Sequence, residues 1–423
     1  MDGVLAIVMA GGAGERLQPL TRLRSKASVP FAGKYRLIDL TLSNCVNSGI
    51  RRIFILTQYL SESLNRHIQD GWSISSSGLG DFIYCMPAQQ KMGLEWYRGT
   101  ADAVRQNLNV LQGKGVEDVL ILSGDHVYKM DYRRILDFHR LKNAGLTISA
   151  LRTRNSDAAG NLGVLEVDEY MRLVGFEEKP AQPRPIPGSP DHCLASMGIY
   201  AFRTDVLLKS LDGEGMDFGK HIIPSMAGGR KDVFIYDFEK QNKIQDYETR
   251  VEYGVREKVL VDATRDSTYW RDVGTIDSYF EASMDLISID PMFSLYGEKW
   301  QLRTFQRQLP PTKCTLGGRI SDSIVSDGCI ISGGLVVNSI LSPCVIVERD
   351  AVVEQSVVFD DAYIEPGARI KRAIIDKQCI IHSGASVGFD RSADIAAGFK
   401  VSDGGVTVVP KGCDVGATSP RLL

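Results

Sequence analysis

Val4-Leu-Ala-Ile-Val-Met-Ala-Gly-Gly-Ala-Gly-Glu-Arg-Leu-Gln-Pro-Leu20, with Lys26 close behind, reads as a buried strand running directly into a glycine-rich loop. Residues 4–10 are almost wholly apolar, the pattern of a strand covered on both faces. Gly11, Gly12 and Gly14 then permit turns that a side chain blocks, so that backbone N–H groups can approach phosphate oxygens. Arg16 and Lys26 put positive charge on either side of the glycines, suited to a nucleoside triphosphate and to a pyrophosphate leaving group. Neither familiar phosphate motif fits, because the dinucleotide fingerprint's third glycine and the P-loop's Gly-Lys-Ser/Thr ending are both missing. Taken alone, the loop could also be a plain tight turn of an α/β domain.

Outward from this stretch, apolar strands at 52–57, 118–123 and 147–152 alternate with amphipathic helical stretches at 37–48, 60–70, 101–112 and 131–143. That order predicts an α/β, Rossmann-like domain over residues 1–280, with a mostly parallel sheet and helices on both faces. Ligands of such sheets bind beyond the carboxyl ends of the strands, where the glycine loop and Gly124-Asp125-His126 would both lie.

Past residue 310 the helical period disappears and a repeat takes over. Units beginning at Ser323, Ser339, Ser356 and Ala373 recur at intervals of 16, 17 and 17 residues, each with a second apolar pair about six residues after the first. This predicts short strands on successive sides of a prism, a parallel β-helix over 311–423 reached through a connector at 281–310. The other reading of the region is a β-sandwich of short strands. Cys329, Cys344 and Cys379 are assigned with Ala362 to a small, packed corner position.

A chain of 423 residues has room for two or three domains, and a net charge of −3 gives no global basic field, which disfavours nucleic acid and anionic membranes as partners. No apolar run reaches the ~20 residues of a membrane span and no basic, cleavable leader is recognisable, so the expected location is cytoplasmic. The 8 cysteines are scattered without a C-x-x-C pair, against zinc and against a disulfide framework. His126, the one histidine beside a motif, is read as structural.

Asp125 ends an apolar strand, a usual way to present a carboxylate at the open edge of a sheet, and its expected task is Mg²⁺. Asp272, in Tyr269-Trp-Arg-Asp-Val-Gly-Thr275, is the natural second carboxylate. Either aspartate alone reads equally as a turn or helix cap. Glu177-Glu-Lys-Pro180 ends a strand. There Lys179 could hold a phosphate while Glu178 accepts sugar hydroxyls, and a solvated charge run is the plainer reading. Trp96-Tyr-Arg-Gly-Thr-Ala-Asp-Ala103 places Trp96, Tyr97 and Gly99 before a helix starting at Thr100, where a base could stack; the plainer reading is a helix cap with core aromatics.

Together these segments, with Gly33-Lys-Tyr-Arg-Leu-Ile-Asp-Leu40, Leu42-Ser-Asn-Cys-Val-Asn-Ser-Gly-Ile50, Ser123-Gly-Asp-His-Val-Tyr128 and Leu194-Ala-Ser-Met-Gly-Ile-Tyr200, resemble the sugar-1-phosphate nucleotidylyltransferases over essentially the whole chain. The Trp96 and Trp270 segments are particular to the ADP-glucose pyrophosphorylase branch. The resemblance implies a left-handed β-helix, a homotetramer in glycogen synthesis, and Mg²⁺-dependent attack of glucose 1-phosphate on the α-phosphorus of ATP. By position it assigns Arg16 and Lys26 to the triphosphate and pyrophosphate, with Gly11 and Gly12 in the binding loop. Asp125 and Asp272 fall to Mg²⁺, and Lys179 to the sugar phosphate. Glu178 and Ser196 belong to the sugar side, Gln90, Tyr97, Gly99 and Thr100 to the nucleotide side, and Gly163 to substrate binding.

Departures from the family pattern carry expectations of their own. Ala27 stands where proline usually follows the catalytic lysine, predicting looser placement of Lys26. Glu15 brings negative charge to the loop unless it faces away or toward Arg16. Relatives clamp an anionic metabolite effector between basic residues before that lysine and others near the C-terminus. Here Leu23 and a tail keeping only Lys400 predict weak or altered activation by fructose 1,6-bisphosphate, with Arg22, Arg24 and Arg36 remaining. Competing readings are an enzyme using UTP or dTTP, a catalytically silent regulatory subunit, and a β-helix acyltransferase with His382 as its sole candidate base.

Overall fold

The apolar stretch near the N-terminus forms β1 (Val4–Met9), whose side chains divide between two cores. Val4, Ala6 and Val8 join one and Leu5 and Ile7 the other, which is why the strand reads as continuously apolar rather than alternating. The protein is seen in a computed structural model that describes residues 1, 3–73, 80–89, 96–110, 115–227, 232–252 and 255–416. Among them, β1 lies inside a 9-stranded sheet. The other strands are β2 (Arg52–Thr57), β3 (Phe82–Pro87), β4 (Asp118–Ser123), β5 (Leu146–Arg154), β6 (Val164–Val167), β7 (Leu173–Glu177), β8 (His192–Arg203) and β9 (Val233–Asp237).

The order is β7-β6-β8-β4-β1-β2-β3, with β5 paired to β8 and β9. Strands β4, β1, β2 and β3 are mutually parallel, β8 runs against both β4 and β5, and β7 runs against β6. Helices α1 (Leu37–Asn47), α2 (Glu62–Gly71) and α4 (Tyr132–Leu141) cover one face, while α3 (Thr100–Arg105) lies on the other.

Helix α3 is shorter than the 101–112 stretch suggests. The Asn107 N–H bonds to Val104 O at 2.9 Å and its side-chain amide takes the Ala103 carbonyl at 2.8 Å, so the next α-helical bond is replaced and the helix ends.

From Lys313 to Val415 the chain winds through three sheets of stacked short strands. All pair in parallel except Lys400–Val401 against Thr407–Val409. This is the parallel β-helix, with Ile331, Val347, Ile364 and Ile381 stacked inside it. Asp322, Asn338, Gln355 and Arg372 repeat a left-handed backbone (φ 44–47°) at one corner, a conformation that asparagine and aspartate tolerate best among non-glycine residues. The cysteine assignment needs one correction. Cys329 and Cys379 do point inward with Ala362, but the equivalent inward place in the second unit is Val345, because Ile330 pairs with Ile346. Cys344 stands one residue earlier at a left-handed corner (φ 62°), half-exposed.

The prism packs directly on the α/β domain. Leu17, Leu20, Phe31 and α5 (Ile276–Asp285) share one core with Ile340, Val357, Ile374 and Val408. Beneath it Arg24 and Asp376 form a buried ion pair of 2.9 Å. After α5 the chain is strapped to the α/β domain, with Trp300 Nε1 donating to Asn44 Oδ1 (3.0 Å) and Thr304 to Asp39 (2.6 Å). Among the described residues no helix is long and apolar enough to cross a membrane.

Candidate active site

Strand β1 ends beneath the glycine loop, and the loop folds back toward Lys26. Gly14 adopts φ 64°, and a Cβ there would stand 3.0 Å from Thr21 and 3.1 Å from the Lys26 stem. Thr21 Oγ1 donates to Gly14 O at 2.8 Å, closing the loop. Gly12 faces open space, whereas a Cβ on Gly11 would meet Gln58 at 3.3 Å. A turn at Lys26–Ser28 is pinned by Ser28 Oγ donating to Ser25 O (3.0 Å), with Ala27 and Ser28 both buried. Glu15 is exposed, and the Arg16 guanidinium reaches Asn161 Oδ1 at 3.2 Å.

Asp125 and Asp272, far apart in sequence, are brought together by a two-stranded ribbon. His126–Tyr128 pairs antiparallel with Trp270–Asp272, placing Asp272 opposite His126. The Lys26 ammonium lies between the carboxylates, 2.8 Å from Asp125 and 3.0 Å from Asp272. Burial pushes the Asp125 carboxyl up, but Lys26, His126 and the Ser123 hydroxyl outweigh it and hold the group well below the usual carboxylate range. Burial pulls Lys26 down, and the same two carboxylates more than restore it, so its ammonium is held above its ordinary value. His126 sits edge-on to Trp270, ring centres 5.0 Å apart. Arg16 borders the dyad, since a Cβ on Gly274 would lie 2.9 Å from both Arg16 Nη2 and an Asp272 oxygen. A cleft of about 240 Å³ there is lined by Arg16, Asn161, Leu162, Trp270 and Asp272.

A second cluster gathers around Glu178. A Cβ on Gly163 would stand 3.0 Å from Glu178 Oε2 and one on Gly219 2.5 Å, while Ser196 N donates to Gly163 O at 2.8 Å. Burial, helped by Asp217, pushes the Glu178 carboxyl up, with Lys179 and Lys220 opposing. Lys179 takes a left-handed backbone (φ 52°) and lies 3.8 Å from Glu178, half-exposed. Its strand end is tied to the Arg16 side through Gly160 N, which donates to Pro180 O at 2.9 Å.

The residues expected on the nucleotide side are organised by a segment that sequence reasoning missed, Met216-Asp-Phe-Gly219. Ala101 N and Asp102 N both donate to Met216 O at 3.0 Å. Thr100 Oγ1 donates to Asp217 at 3.0 Å and receives Phe218 N at 3.0 Å. A Cβ on Gly99 would collide with that same Met216 carbonyl, so Gly99 is required by close approach. Tyr97 OH accepts from Asn107 (2.9 Å), and Gln58 Nε2 donates to Tyr97 O at 3.4 Å, joining this cluster to Gly11. The acid between glycines at 215–219 was the available sequence signal for Asp217; Gln58 carried none. Gln90 lies outside the described residues. Gly99→Ala is expected to cost about 1–3 kcal/mol of stability by overpacking. It should also raise the KM for nucleotide more than it lowers kcat, which calorimetry and steady-state kinetics check together.

The donor set suits a hard divalent cation that keeps substrate phosphates and waters as its other ligands, since two converging carboxylates supply oxygen only. Among the described residues no cluster of three or more His, Cys, Asp or Glu side chains would hold a metal on protein ligands alone.

Residues 5–289 match the nucleotidyl transferase family, and residues 310–409 match the GlmU-like C-terminal hexapeptide family. The chain is 44% identical over 417 residues to a glucose-1-phosphate adenylyltransferase of Shewanella sp. (strain W3-18-1), covering 96% of this chain and 94% of that protein. It is similarly 44% identical to the one from Shewanella baltica (strain OS185) and 43% identical to the one from Shewanella oneidensis, with the same coverage.

Proposed function

The chain belongs to the nucleotidyl transferase family, and we propose that it is a glucose-1-phosphate adenylyltransferase, converting ATP and α-D-glucose 1-phosphate to ADP-glucose and pyrophosphate. The observation that carries the reading is Lys26 held between Asp125 and Asp272 at the carboxyl edge of a parallel sheet, beside the glycine loop. A phosphate oxygen of glucose 1-phosphate attacks the α-phosphorus of ATP, and the bond to the bridging β-phosphate oxygen breaks. No covalent enzyme intermediate is needed, so the protein contributes positioning and charge.

Arg16 and Lys26 neutralise the triphosphate and the departing pyrophosphate. Lys179 holds the sugar phosphate, with Glu178, Ser196 and the backbone at Gly163 around the glucose. Gly11 and Gly12 let the loop backbone approach the phosphates. Tyr97, Gly99 and Thr100 border the base, and the family pattern assigns Gln90 to the same role. Asp125 and Asp272 hold Mg²⁺, which when bound supplies further charge neutralisation at the phosphates.

The same reading places the enzyme in the cytoplasm, in glycogen biosynthesis, as a homotetramer built through the β-helix. An anionic metabolite effector would bind where the domains meet, in a cleft of about 340 Å³ lined by Lys34, Arg36, Arg66, Arg307 and Lys377. Asp360 and Asp361 already pair there with Lys377 (2.7 Å) and Arg307 (3.4 Å), and Arg24 is committed to Asp376, which supports weak activation by fructose 1,6-bisphosphate. A large, saturable activation by that metabolite would overturn the effector reading.

The deciding experiment is pyrophosphate release by the purified chain with Mg²⁺, glucose 1-phosphate and ATP, UTP, GTP or dTTP in turn. Strong release with ATP alone is the expected result. Preference for another nucleotide would reassign the base, and silence with all four, with or without candidate effectors, would favour a regulatory subunit.

A further inference from the structure

The two carboxylates of the catalytic dyad depend on a ribbon of only three residue pairs, Trp270 with Tyr128, Arg271 with Val127 and Asp272 with His126. So short a ribbon, outside the main sheet, does not hold its own register. A slip of one residue would turn Asp272 to the face opposite Asp125 and break its contact with Lys26.

At the foot of the ribbon lies a buried polar knot. Lys129 Nζ and an Asp266 oxygen are 2.5 Å apart, their side chains 2% and 3% exposed, with the Phe293 ring centre 5.5 Å from the ammonium. The Asn242 amide donates to Lys129 O (2.9 Å) and to Ser267 O (2.7 Å), one carbonyl from each side of the ribbon, and accepts Asp131 N (3.1 Å). Ser267 Oγ in turn accepts Ile244 N at 2.9 Å. The knot touches none of the groups assigned to substrate, and two charges in a dry site are an expensive way to hold a fold that apolar packing could hold.

We propose that Lys129, Asp266 and Asn242 are positioning residues that lock the register of this ribbon and thereby set Asp272 against Asp125 and Lys26. The inference rests on the reading of the dyad as the cation-holding pair. Lys129 and Asp266 tie the two sides together through their side chains, Asn242 ties them through the backbone carbonyls of Lys129 and Ser267, and the three act on the reaction only through the two aspartates.

The test pairs Lys129→Met with Asp266→Leu, which removes both charges at once, and uses Asn242→Ser as a milder separate variant. Expected for the double variant is a fall of kcat by about tenfold or more, with the KM for glucose 1-phosphate within about twofold of the parent. Mn²⁺ binding in the presence of ATP, followed by electron paramagnetic resonance, should weaken by about tenfold. Asn242→Ser should shift both quantities the same way by less, and it decides the matter if the double variant does not fold. Folded variants with parental kcat and Mn²⁺ affinity, differing only in Tm, would overturn the proposal. Asp125→Asn serves as the control for the underlying reading. If Mn²⁺ affinity survives in that control, the dyad is not the cation site; if it is lost there while the knot variants bind normally, only the positioning role fails.

Discussion

Asp125→Asn is expected to lower pyrophosphate release by on the order of 10³-fold, equivalent to about 4 kcal/mol of lost transition-state stabilisation. The substitution is isosteric, and it removes the one full negative charge that Lys26 contacts at 2.8 Å. Some stability should be lost as well, because the partners of the Asp125 carboxylate outweigh its burial, although Lys26 keeps Asp272 at 3.0 Å. The loss of kcat should far exceed what the fall in Tm accounts for. Steady-state kinetics beside a thermal melt check both halves. A folded variant that retains a tenth or more of the parental rate would remove Asp125 from the chemistry.

Lys26→Gln is expected to be nearly as damaging to the rate and more damaging to the fold. Its side chain is 12% exposed and stands between carboxylates that are 25% and 23% exposed, so removing it leaves two like charges facing each other with partial screening. The Asp125 carboxyl, no longer held down by Lys26, should then take up a proton more readily, and stability should fall by about 2 kcal/mol near neutral pH. A divalent cation offers replacement charge at the same place. Mg²⁺ should therefore raise the Tm of Lys26→Gln by more than that of the parent, where the ammonium competes for the same oxygens. Equal Mg²⁺-induced shifts in the two proteins, from equal starting Tm values, would show that Lys26 and the cation do not share the carboxylates.

Much of this architecture is legible in local sequence. Residues 4–10 are apolar on both faces because β1 is central, and the glycines follow because the chain must turn at once beyond the sheet edge. The coil repeat is legible because each short strand must place an apolar side chain inside the prism every turn, as Val336, Val353 and Ile370 do. Even there local reading slips by one residue. The Pro343-Cys344 corner puts Val345 rather than the cysteine inside, and the distinction lies in a backbone φ of 62° that no apolar pattern records.

By itself, then, the sequence determined the strand and its glycine loop, the parallel sheet and the solenoid, since each follows from hydrophobic periodicity and turn chemistry within a few residues. Tertiary structure alone decided how the distant pieces meet. It set Asp272 in register with His126, the Met216 carbonyl against Gly99, Lys26 between two aspartates and the prism against α5. Those contacts join residues scores or hundreds of positions apart, and the physical reason they escape a linear reading is that ion pairing, close backbone approach and shared burial depend on distance in space, for which neighbouring residues along the chain hold no record.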